Sequence, residues 1–380
     1  MPQGFVHLHV HSQFSFMDGA APLDGLVGRA AELEMPALAL TDHGNMYGAV
    51  EFYREAHKQG VKPVLGCEVY FTPGSRLTRD GKPNLYHLLL LAKDIEGYRN
   101  LMAIVSDAWI SGFYYKPQVD EELLRHYSKG LIGSSACLSG VIPKSIEHGE
   151  LGEARKWAER YSEIFGEGDF LIELQEQGIT TDNGLTQADL NKELALIARE
   201  KGLPLVGTND IHYVHAEDAK TQDMLLCIAT GKVLDDTQRM RFSCDRFYMR
   251  TEEEMAEALS EYPEAISNTA EVAERCNVEL EFGKLILPVF DVPERLAGMD
   301  EHEALDVLLE EKCLEGLGKR YEDPVPDVAL ERLRDLARRE MRDPRSQASL
   351  LIQDGLRRAS LDSEASPAGA RDSARPSRQI

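Results

Sequence analysis

The stretch "FVHLHVH" (residues 5–11) sets His7, His9 and His11 at alternate positions, with Val6, Leu8 and Val10 between them. A β-strand sends successive side chains to opposite faces, so this spacing predicts a strand with one aliphatic and one imidazole face. If the aliphatic face packs on helices, the imidazoles point into the interior of a sheet or barrel. Buried polar groups need hydrogen-bond partners or a metal. The rest of the chain has to supply them.

Six further apolar runs follow: "ALALTDH" (37–43), "VKPVLGCEVYF" (61–71), "YHLLLLAK" (86–93), "GLIGSSAC" (130–137), "DFLIELQ" (169–175) and "LPLVGTND" (203–210). Amphipathic stretches such as "APLDGLVGRAAELE" (21–34) and "TQADLNKELALIAREKG" (186–202) lie between them. Strand and helix in alternation predict an α/β fold with a parallel sheet under covering helices. Seven strands, the first with polar groups inward, fit a distorted, closed or nearly closed β/α barrel better than an open doubly wound sheet. In β/α barrels the C-terminal strand ends carry the chemistry. Asp42 and His43, Glu68, Cys137, and Asp210 with His212 all fall at such ends.

From about residue 215 the pattern turns helical and charged. The expected organisation is a barrel over 1–285, a helical appendage over 286–342 and a tail over 343–380. That tail is rich in Ser, Ala, Arg and Pro and too polar to bury a core, which predicts disorder.

The 380 residues carry a formal net charge of -23 and no long Lys/Arg cluster, which argues against a strong grip on DNA by this chain alone. "QRMRFSCDRFYMR" (238–250) is a local basic patch that phosphates could touch. No apolar run approaches the ~20 residues of a membrane span, and "MPQGFVHLHV" lacks the layout of a signal peptide. Six scattered cysteines with no CxxC pair suit a reducing, cytoplasmic setting.

His9, His11, Asp18, His43, Glu68, His87, Cys137, Asp210 and His212 are the metal-capable residues at strand ends or on the inward face. Taken singly, each has an ordinary structural reading: a bonded histidine, a turn at Asp18-Gly19, a small buried Cys137, a helix cap at Asp42. Their recurrence at one edge of separate strands points instead to a shared site. Mixed imidazole, carboxylate and thiol donors suit zinc, manganese or iron rather than calcium or magnesium. Nine donors exceed the needs of one ion, so two or three divalent ions around a bridging Glu68 are expected. Clustered metals of this kind serve phosphoester hydrolysis. His57, His126, His148, His215 and His302 occupy helical or loop contexts and read as surface residues. Ser12, Ser134 and Ser135 lie near the histidines, but no GxSxG elbow accompanies them, and neither a P-loop nor GxGxxG is present.

"HLHVHSQFSFMDGAAPLDGLVGRAAELEMPALALTDHGNMYGAVEFY" resembles the opening of the PHP (polymerase and histidinol phosphatase) domain. "GFYYKPQVDEELLRHYSKGLIGSSACLSG" and "MLLCIATGKVLDDTQRMRFSCDRFYMRTEEEM" are similar to segments of the branch found in bacterial DNA polymerase III alpha subunits. The resemblance covers about residues 4–340. It implies a distorted seven-stranded barrel with three metal ions, held by the nine residues named above, with Glu68, Asp210 and His212 acting beside metal-bound water. It places His7 and Asp42 behind the ligands, Asp42 orienting His43.

The resemblance further implies a 3′–5′ exonuclease in DNA replication, working with DNA, the rest of a polymerase or replisome subunits such as a proofreading exonuclease. The polymerase palm aspartates are missing from these residues, so a truncated alpha subunit is expected, one that does not polymerise. Two alternatives stand beside the exonuclease: a metal-stabilised partner-binding module without turnover, and a small-molecule phosphatase.

Overall fold

The computed structural model describes residues 4–16, 18–284, 291–320 and 327–328. The expected disordered tail lies outside them. The chain divides into two compact units, Met1–Phe282 and Gly283–Ile380. Within the second, the described residues hold a short 3-10 turn at Glu294–Leu296 and a helix at Glu301–Arg320.

The first unit contains the strands β1 (Ala37–Leu40), β2 (Lys62–Phe71), β3 (Tyr86–Ala92), β4 (Phe113–Tyr114), β5 (Lys116–Val119), β6 (Leu131–Ser134), β7 (Phe170–Gln175) and β8 (Leu205–Thr208). The order β1-β2-β3-β6-β7-β8 makes a rolled sheet, with the short β4–β5 pair attached to the far end of β2. Residues 5–11 form no regular strand, yet they close the ring. Ala39 N donates to His7 O (2.9 Å) and Thr41 N to Val10 O (2.8 Å), while on the other side Ile211 N donates to His9 O (3.1 Å) and His11 N to Ile211 O (2.8 Å). The distorted seven-membered barrel is therefore present.

One feature differs from the parallel expectation. β3 runs antiparallel to both β2 and β6, whereas β1–β2, β6–β7 and β7–β8 are parallel. No helix connects β2 to β3, so the chain turns back instead of crossing over. The start of β3, with His87, thereby reaches the same rim as the ends of the other strands.

Val6 and Leu8, Ala37 and Ala39, Val64, Leu91, Ile132, Leu171 and Val206 form one buried cluster with Ala270, Val272, Ala273 and Cys276. Every barrel segment contributes, and the helix Pro263–Arg275 stoppers the base. A larger cluster, including Val10, Leu38, Leu65, Leu88 and Leu90, packs between strands and outer helices. One such helix, Gln187–Lys201, buries Leu190, Leu194, Ile197 and Ala198 along one face and is capped by Thr186, whose side chain accepts from Asp189 N.

The period of two then dictates the rim. From the base cluster, the same face leads from Ala39 to His43, Val64 to Glu68, Leu91 back to His87, Leu171 to Glu173 and Val206 to Asp210. Each strand passes from an apolar floor to a polar lip.

Residues 5–11 break this rule and correct the reading of His7. Val6 and Leu8 join the interior cluster, but Val10 packs in the outer one. The irregular backbone between Leu8 and Val10 changes the facing, so His9 and His11 enter the rim while His7 does not. His7 Nε2 instead meets Arg250 O at 2.9 Å, and its ring packs edge-on against Phe5.

Candidate metal centre

Glu68 occupies the middle of the rim and is 1 % exposed. Its Oε1 lies 2.9 Å from His87 Nδ1, 3.2 Å from His9 Nε2 and 3.7 Å from Cys137 Sγ. Its Oε2 lies 2.6 Å from His43 Nδ1 and 3.7 Å from His11 Nε2. Burial pushes this carboxyl up, but the imidazoles of His87, His9 and His43 outweigh it and hold Glu68 well below the usual range.

The remaining residues adjoin this core. Asp210 Oδ1 is 3.3 Å from His9 Nε2 and 3.2 Å from His11 Nε2. Asp18 Oδ2 is 3.4 Å from His43 Nε2, and Cys137 Sγ is 3.4 Å from His87 Nδ1. His212 Nδ1 meets the Asp210 carbonyl at 2.8 Å, and its ring sits 4.4 Å from that of His11. All nine positions singled out in the sequence thus lie together at one rim. His57, His126, His148, His215 and His302 are exposed.

Backbone strain accompanies two of these positions. Asp210 (φ 50°) and Ala136 (φ 59°), the neighbour of Cys137, adopt the left-handed region that L side chains rarely enter. Such conformations persist where surrounding structure enforces them.

The donor set fits divalent ions. Donor atoms of His11, His43 and His212 lie within 4.8 Å of one another, as do those of His9, His11 and Asp210, and those of His43, Glu68 and His87. These trios share His11 and His43, as neighbouring ions with common walls would require. Several buried donors also lack hydrogen bonds: His43 Nδ1, Glu68 Oε2, Asp18 Oδ1 and Asp210 Oδ1. His43 Nδ1 and Glu68 Oε2 are close, yet their alignment is not that of a hydrogen bond. Likewise, His9 Nε2 and His11 Nε2 face one another at 3.1 Å. Two imidazole lone pairs that close need a proton or a cation between them.

Charge couples these groups to one another. Against burial, Asp18 and Glu68 raise His43 to about 10. Burial, with His43 and His212 alongside, lowers His11 to about 3. Burial, then Glu68 and Asp210, push the Cys137 thiol well above its ordinary value, so only a cation would make it a thiolate.

Two supporting groups behave differently from the sequence expectation. Asp42 does not touch the His43 ring. It accepts from Ser12 N (2.7 Å), Ser12 Oγ (2.8 Å) and Ser15 Oγ (2.7 Å). Ser15 Oγ, having donated its proton to Asp42, accepts from His43 N and His11 Nδ1, each at 3.1 Å. Asp42 therefore fixes the tautomer of His11 through Ser15, leaving His11 Nε2 for the cluster.

Glu173 was not singled out at all. Its Oε1 accepts from His9 Nδ1 (2.7 Å), Gln175 Nε2 (2.9 Å) and Thr208 Oγ1 (2.5 Å), and its Oε2 from Ser134 Oγ (2.7 Å). The signal was available: a lone carboxylate inside the apolar strand "DFLIELQ" needs buried partners. Ser12, Ser134 and Ser135 are occupied as supports for Asp42 and Glu173, so none of these three is poised as a nucleophile.

Residues 7–177 match the PHP domain family. This chain contains a PHP domain. The PHP domain's relatives include DNA polymerase III alpha subunits from Treponema pallidum (43 % identical over 301 residues, 78 % of this chain and 25 % of the relative). Those of Borreliella burgdorferi (40 % over 324 residues, 84 % and 27 %) and Thermus aquaticus (43 % over 336 residues, 85 % and 26 %) are similar too. The chain spans about a quarter of the length of these relatives. The PHP match ends at residue 177, whereas the rim it helps build is completed by Asp210 and His212. No helix among the described residues is long and apolar enough to cross a membrane.

Proposed function

We propose that this chain is a multinuclear metal-dependent phosphoesterase, acting as a 3′–5′ exonuclease on DNA ends in replication. The observation that carries it is Glu68, a buried carboxylate whose two oxygens reach four imidazoles from three different segments. The likeness to DNA polymerase III alpha subunits supports DNA as the substrate and replisome subunits as partners.

Zinc, manganese or iron are the ions the mixed donors favour. His9, His11 and Asp210 would hold one ion, His11, His43 and His212 a second, and His43, Glu68 and His87 a third, with Cys137 and Asp18 adjoining. Divalent ions at such a cluster supply a nucleophile at neutral pH and neutralise charge developing on the phosphoryl oxygens. The chain's own work is orientation. Glu173 and Ser15 each hold one nitrogen of His9 and His11, leaving the other nitrogen directed at the cluster. Glu68 spans the site, and Asp210 and the adjacent His212 would take or return protons as the leaving oxygen departs.

The test is removal of mononucleotides from the 3′ end of a 5′-labelled single strand by the purified chain loaded with zinc or manganese. A ladder that disappears with chelator is expected. Full metal occupancy without cleavage would leave the partner-binding module, and hydrolysis of histidinol phosphate but not DNA would leave the small-molecule phosphatase.

A further inference from the structure

Resting on that phosphoesterase reading, we propose that Phe16 and Tyr47 form a stacking subsite for the terminal nucleobase of a single-stranded DNA end, with Lys116 placed for the strand's phosphate. Both rings are open to solvent, 69 % and 61 % exposed. Their centroids are 6.1 Å apart at 41°, a wedge in which neither ring covers the other. Trp109 and Phe113, also exposed, stack face to face at 5.2 Å and 13°, and so occupy each other's faces.

The wedge is tied to the centre. Phe16 stands two residues before Asp18, within about 7 Å along the chain, and Asp18 Oδ2 is 3.4 Å from His43 Nε2. Tyr47 follows His43 by four residues. The buried amide of Asn45 holds both loops: its Nδ2 donates to Phe14 O and His43 O, each at 3.0 Å, and its Oδ1 accepts from Tyr47 N at 3.1 Å. A subsite held this way loses little freedom when a base enters.

The cation is tied to His43 through Tyr70. Tyr70 stacks on the His43 ring (6.0 Å, 25°), and Lys116 Nζ is 3.2 Å from Tyr70 Oη and 4.8 Å from its ring centre. In a chain of net charge -23, an ammonium fixed beside a carboxylate-bearing rim is complementary to a polyanion. Stacking accepts every base, because each has a π-face. The subsite is therefore indifferent to sequence but demands a base.

The experiment measures anisotropy of a 5′-fluorescein oligothymidylate whose last linkage is a phosphorothioate, with its 3′ residue either thymidine or abasic, in the presence of Mn²⁺. The expected result is binding on the order of 10-fold tighter with the base present. Phe16→Ala and Tyr47→Ala abolish that preference, and Phe16→Tyr and Tyr47→Phe restore it. Equal binding of the two strands by the wild-type chain, or a preference that both alanine variants keep, overturns the proposal. Mononucleotide release from an unmodified strand is scored separately. Cleavage without discrimination removes the subsite alone, and discrimination without cleavage removes only the hydrolase reading.

Discussion

Glu173 Oε1 lies 2.7 Å from His9 Nδ1 and thereby commits the opposite nitrogen, Nε2, to Glu68, His11 and Asp210. The carboxylate is 1 % exposed and accepts four hydrogen bonds. Glu173→Gln keeps the volume but turns an acceptor into a donor facing donors. Supporting partners of metal-bound imidazoles contribute roughly 10- to 100-fold in affinity. Competition with a chromophoric chelator should show a loss of that size, and unchanged affinity would remove Glu173 from the centre.

His43 belongs to two of the three donor trios, whereas His57 is exposed on the outer helix Ala49–Gln59. His43→Ala should lower metal stoichiometry and abolish any hydrolysis. His57→Ala should alter neither. Elemental analysis of the two purified variants decides the matter, and loss of metal from His57→Ala would count against the assignment of faces.

Metal affinity should climb with pH well beyond neutrality. His43 keeps its proton up to about 10 in the metal-free chain, and an entering cation must displace it. Binding at pH 8 should therefore release protons, read as a dependence of the calorimetric heat on the buffer's ionisation enthalpy. Affinity that is flat between pH 7 and 9 would contradict this coupling.

His7 offers a stability signature independent of metal. Burial, only partly opposed by its bond to Arg250 O, lowers it to about 4. The unfolded chain takes up this proton near pH 6.5, the folded chain only near 4. Stability attributable to His7 is thus intact above pH 6.5 and declines as pH falls, by about 3 kcal/mol in all. Urea unfolding of wild type and His7→Asn across pH 7 to 4.5 should show a gap that narrows toward acid. A constant gap would refute the assignment.

Gly19 closes the loop that carries Asp18, and a Cβ placed there would lie 2.0 Å from Ser12 O. Backbone cannot yield as a flexible side chain can, so Gly19→Ala should displace Asp18 and the Ser12–Ser15 turn. The expected outcome is weaker metal binding with far-ultraviolet circular dichroism unchanged, since the loop lies outside the strands and helices. Full metal affinity in this variant would show the loop to be more pliant than its contacts imply.

Much of this centre was readable from residue types. Glu68, Cys137, Asp210 and His212 follow apolar runs, and a rim of donors on a barrel is what alternation alone produces. His87 was named on the same grounds although it begins its strand, and only the reversed direction of β3 explains why it reaches the right edge. What periodicity cannot express is a local change of facing. The irregular turn of backbone between Leu8 and Val10 separates His7 from His9, though the letters alternate without interruption. Hydrogen-bond partners distant in sequence were equally hidden. Asp42 is one residue from His43, yet it serves His11 through Ser15, and Glu173 is 164 residues from His9.

The stopper at the base of the barrel has a consequence for anyone who would cut this chain. Ala270, Val272 and Ala273 fill the floor, and residues 210–212 complete the lip, although the family match ends at 177. An expression clone terminated at that boundary would leave a cup with an open bottom and a missing stave, spilling its apolar lining into water. The smallest piece worth making must run past the helix that ends at Arg275.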